Sequence, residues 1–167
     1  MTIARQRVYA LAIVERMVVV KSQYLNPHES QSFDLLLELM DELWQFLRNK
    51  DDLASDEYEQ FRQRIDAARP SRESFATTEF SLRNVYWMLK SALMVFRGRE
   101  HAFEIGRQGF EMATRAQLDE QCEDSNQLSI VQKLQSLSDL GPEPIEQLRE
   151  FIRELPIKSG IPRRFEW

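Results

Sequence analysis

The sequence predicts an all-α fold, a single-domain antiparallel helical bundle of about seven helices, and three observations carry that prediction. Apolar residues recur at three- and four-residue intervals along most of the chain. All six prolines, at positions 27, 70, 142, 144, 156 and 162, fall between those periodic stretches or in the tail. Only five glycines are present, none before Gly98, which is too few for the turns of a strand-rich fold. With 167 residues, 43% of them hydrophobic and 29% charged, the chain matches one globular domain with one main core. Residues 1–156 are read as the bundle and residues 157–167 as an appended arm.

The first helix carries the stripe Ala10, Ile13, Val14, Met17, Val20 and Tyr24, with Thr2 as its N-cap and Asn26-Pro27 as its stop. Val18-Val19-Val20 alone would suit a strand, but its flanks keep the helical period and Glu15-Arg16 would interrupt a buried strand. Phe33, Leu36, Leu37, Met40, Trp44 and Leu47 form the face of a second helix, opened by Ser30 or Ser32. Ser55 followed by Asp56 and Glu57 starts a third, with Tyr58, Phe61, Ile65 and Ala68 on one face and Arg69-Pro70 as its end.

A fourth helix is expected from about Thr78 to Arg97, closed by Gly98, and it is apolar on most sides, which marks it as the central helix. The fifth, from about Glu100 to Cys122, contains Gly106 and Gly109, whose missing side chains would admit a close neighbour. Asn126 is the expected cap of a sixth helix ending at Gly141, and Pro142 or Pro144 starts a seventh that ends at Pro156. The expected core comprises Ile13, Met17, Leu36, Leu37, Met40, Trp44, Phe61, Ile65, Leu89, Leu93 and Phe96.

Charge and motifs exclude several functions. A net charge of −5 fits neither a nucleic-acid footprint nor a polybasic membrane surface, so no nucleic acid and no membrane are expected as partners. Glycine-rich phosphate loops are absent. The apolar run Met17–Val20 lies between Arg16 and Lys21 and falls far short of a membrane span, while the lone Cys122 allows no intrachain disulfide. The cytoplasm is the expected compartment.

Catalytic and metal-binding patterns are equally sparse. His28 and His101 fall in different segments, with no HExxH or Glu-x-x-His motif, so neither a metal nor a cofactor is expected. Glu120, Glu123 and Asp124 around Cys122 would oppose a thiolate. Glu38 with Asp41 and Glu42 is a carboxylate ladder of the kind found on solvated helix faces. No catalytic residue is assigned.

Two acidic patches remain. Asp51, Asp52, Asp56, Glu57 and Glu59 form the first, and Asp119, Glu120, Glu123 and Asp124 the second. The plainer reading of both is a solvated surface, with the first also complementing a helix dipole; the alternative is recognition of a basic protein surface. The second patch is expected at the C-terminal end of helix five, where carboxylates meet the negative pole of the dipole, and that placement favours recognition. The tail Ile161-Pro162-Arg163-Arg164-Phe165-Glu166-Trp167 mixes cations with aromatics and suits an anchor, on its own bundle or on a partner.

Ala12, Glu15-Arg16 and Tyr24 in the first helix, Leu39, Asp41 and Leu43-Trp44 in the second, and Pro70-Ser71-Arg72-Glu73-Ser74-Phe75 before an aromatic-rich helix form an ordered pattern over roughly residues 5 to 120. It resembles the small all-helical bacterial proteins of domain-of-unknown-function family 416 and, more loosely, the helical immunity proteins encoded beside contact-dependent and secreted toxins. The resemblance implies an intracellular bundle that works by binding, with no catalytic residues to carry over. The expected function is therefore a non-enzymatic immunity protein that neutralises a cognate toxin or effector, with the nine acidic residues as contact candidates and homodimerisation left open. The alternative is a helical adaptor or chaperone. A third reading is an enzyme or ligand-binding bundle built around a polar pocket in the region of helices four and five, using Glu100, His101 or Glu104.

Overall fold

A computed structural model describes residues 1–23, 25, 27–49, 52–70, 81–98, 102–115 and 118–158 of the chain. Among these residues there are seven α-helices and no strand: α1 Ile3–Ser22, α2 Ser30–Asn49, α3 Ser55–Ala67, α4 Leu82–Val95, α5 Ala102–Arg115, α6 Glu120–Ser136 and α7 Pro142–Glu154. A short 3-10 turn, Pro27–Glu29, leads into α2. The all-α bundle is thus the observed fold.

The central element is α1, not α4 as the apolar content of α4 suggested. Helix α1 packs against α2, α4, α5, α6 and α7, and every residue from Val8 to Val18 is buried. A helix enclosed on all sides needs no polar face, so the Val18-Val19-Val20 triplet is helical and its charged neighbours lie inside the protein. Helix α4 is itself well buried, yet Trp87 keeps 42% of its surface exposed on the outer side. The expected core is found as read, except that Leu37 is half-buried at its edge. Each fully buried Leu, Ile or Met in it stabilises the fold by about 1.5–3 kcal/mol.

Two arginines near the start of α1 serve the ends of other helices. Arg5 Nη2 donates to the Leu137 carbonyl oxygen at 2.7 Å, past α6, and Arg7 Nη2 donates to the Phe96 carbonyl oxygen at 2.8 Å, past α4. Cations placed there satisfy carbonyls that lack helical partners and complement the negative pole of each dipole. Thr2 caps α1 as expected, accepting from the Arg5 N–H at 3.3 Å.

Helices α1 and α5 come together at the two glycines of α5. Gly106 lies directly against the Tyr9 side chain, and a Cβ at Gly109 would stand 2.7 Å from Ile13 Cγ2. The close approach anticipated from these glycines is therefore real, and its partner is α1.

The boundary between helices five and six differs from the expectation. Helix α5 stops at Arg115, and α6 starts at Glu120, capped by Asp119, whose Oδ1 accepts from the Cys122 N–H at 2.7 Å. Asn126 is not a cap: it lies buried in the first half of α6. Helix α3 departs in a smaller way, because its start is secured by the Glu57 carboxylate, which accepts from the Ala54 N–H at 2.9 Å, rather than by Ser55.

Candidate functional site

The sequence left three charged residues of α1 without an evident partner, and the fold gives each one. Glu15 accepts from Arg149 Nε at 2.9 Å and from Arg153 Nε at 2.9 Å, both on α7. Arg149 also reaches Asp41 on α2 and lies 5.4 Å from the centre of the Trp44 ring. Arg16, fully buried, donates from Nη2 to Glu123 Oε2 at 3.0 Å and to the Pro156 carbonyl oxygen at 2.8 Å. Its Nη1 donates to the Leu155 carbonyl oxygen at 3.0 Å, and Asn126 Nδ2 adds a bond to Pro156 at 2.9 Å. Lys21 pairs with Glu29 at 2.6 Å. Buried charges persist only where such pairing offsets desolvation. Glu15, Arg16, Asp41 and Trp44 of that ordered pattern thus take part in the contacts linking α1, α2, α6 and α7, and Leu43 is buried in the core, while Tyr24 and residues 71–75 lie outside the described residues.

The first acidic patch lies at the surface around the start of α3. Asp52 is 86% exposed in its side chain and pairs with Arg7 at 2.6 Å. Asp56 is exposed, Glu57 is the cap already described, and Glu59 accepts from Arg62 Nε at 2.8 Å. Asp51 lies outside the described residues. Beside the patch Tyr58, Glu59, Arg62 and Arg97 line a surface cleft of about 370 Å³, with the Arg97 guanidinium 4.3 Å from the centre of the Tyr58 ring. Helix α3 buries only Phe61 and Ile65, with Tyr58 packed half-buried against the core, so most of its surface faces outward.

The second patch is not a single surface. Glu123 is 1% exposed and committed to Arg16, which removes it from the contact candidates. Asp119 is the cap of α6, and Glu120 and Asp124 are exposed. These acids stand at the N-terminus of α6, where they complement the dipole, and not at the unfavourable C-terminal end of helix five where they were expected.

The described ones among the remaining candidates fall on different elements: His28 in the 3-10 turn, Glu104 on α5 and Cys122 on α6. His28 is exposed, Cys122 is half-buried with its Sγ 3.9 Å from the Pro156 carbonyl oxygen, and Glu104 pairs with Arg107. Glu100 and His101 lie outside the described residues, as do residues 159–167 of the arm. Among the described residues no group of three or more His, Cys, Asp or Glu could hold a metal ion, and no helix is long and apolar enough to cross a membrane.

A groove does lie in the region of helices four and five where a pocket was considered, but none of Glu100, His101 and Glu104 is among the described residues that line it. Asn84, Trp87, Met88, Ser91, Gln108, Glu111 and Met112 line this groove of about 250 Å³ between α4 and α5. Periodicity could not single it out, because Trp87 belongs to an aromatic run that reads as core. Compared with protein-family models, curated proteins and solved structures, the chain matches none of them.

Proposed function

We propose that this protein is a non-enzymatic immunity-type protein that binds a basic surface of a cognate bacterial toxin through the carboxylates at the start of α3. One observation carries the reading: Asp52, just before α3, and Asp56, in its first turn, are exposed beside a helix that contributes little to the core, in a chain of net charge −5. Surface carboxylates of this kind steer a basic partner into encounter and speed association. The family-like pattern in α1 and α2 supports the same class of function. The second acidic patch has no part in the proposal, since Glu123 and Asp119 already serve the fold.

The test is affinity capture from the bacterium in low and in high salt, followed by binding kinetics with the captured protein. One dominant partner with a basic, toxin-like domain is expected, together with a fall of about tenfold or more in association rate for the triple variant D52N, D56N and E59Q. Glu57 is kept, because its loss would weaken α3 itself. A folded triple variant that binds unchanged would remove the patch from the interface. Mixed unfolded clients retained in high salt would favour the helical adaptor instead.

A further inference from the structure

We draw no further inference here: the strongest candidate, the surface groove between α4 and α5 walled by Trp87, Met88 and Met112, is an unpartnered face, and nothing in the structure shows what covers it.

Discussion

Arg16 and Glu123, 107 residues apart in sequence, form an ion pair in which both side chains are 1% exposed. The pair joins the central helix to α6, and the remaining Arg16 donors hold the chain as it leaves α7. Truncating one member strands the other charge in the interior, which costs about 3–5 kcal/mol. Glu123→Ala and Arg16→Met are each expected to lose that much in urea unfolding. The double variant R16M and E123A should lose clearly less than the sum of the two, because neither charge is left behind. Additive losses would mean that the two residues act independently.

Asp119 tests whether the second acidic patch serves the helix. Its side chain satisfies one of the N–H groups at the start of α6, so Asp119→Ala is expected to cost about 1 kcal/mol, whereas Asp119→Asn, which keeps an acceptor, should cost a few tenths. Thermal melts of the two variants separate these outcomes. Equal melting temperatures for Ala and Asn would show that the cap contributes nothing.

The parts of the fold visible in the sequence are those fixed by local pattern. The stripe Phe33, Leu36, Met40, Trp44 and Leu47 placed α2, and Pro142 or Pro144 marked the start of α7, which falls at Pro142, because helical period and proline stereochemistry act within a few residues. Glu15, Arg16 and Lys21 were opaque for the opposite reason: their partners Arg149, Glu123 and Glu29 belong to other elements, and only the assembled bundle brings them together. Missing those pairings hid the enclosure of α1 and made α4 look central. At the candidate site, the exposure of Asp52 and Asp56 agreed with their composition, but Glu123 could not be told from Asp124, its solvent-facing neighbour, without the helix register set by Asp119.

Gly109 sets two effects of opposite sign against each other. Alanine in place of glycine within a helix contributes about 1 kcal/mol through propensity. Here the added methyl would stand 2.7 Å from Ile13 Cγ2, on a side chain with no exposed surface, and overpacking of a filled core costs about 1–3 kcal/mol. Gly109→Ala is therefore expected to lower the melting temperature by several degrees. A rise would show that α5 can move away from α1 without loss.

Asp66 links stability to pH. Its carboxylate accepts from Lys90 Nζ at 2.6 Å and from Tyr86 Oη at 2.7 Å, joining α3 to α4. The Lys90 hydrogen bond, against a partial desolvation penalty and with help from Tyr86, holds the Asp66 carboxyl below its ordinary value of 3.8. A depressed folded-state pKa means that the stabilisation is complete above that ordinary value and disappears as pH falls through the lower folded one. The same contact raises Lys90 above 10.5, so its share is present below that pH and is lost as pH rises through the raised value. Because Asp66 and Lys90 are 37% and 26% exposed, solvent screening limits the whole effect to about 1 kcal/mol. Asp66→Asn should thus melt a few degrees below the parent protein at neutral pH, with the gap narrowing in acid and in concentrated salt. Calorimetry at pH 7, 4 and 2 checks this, and a gap that stays constant over that range would assign the loss to packing rather than to the charge on Asp66.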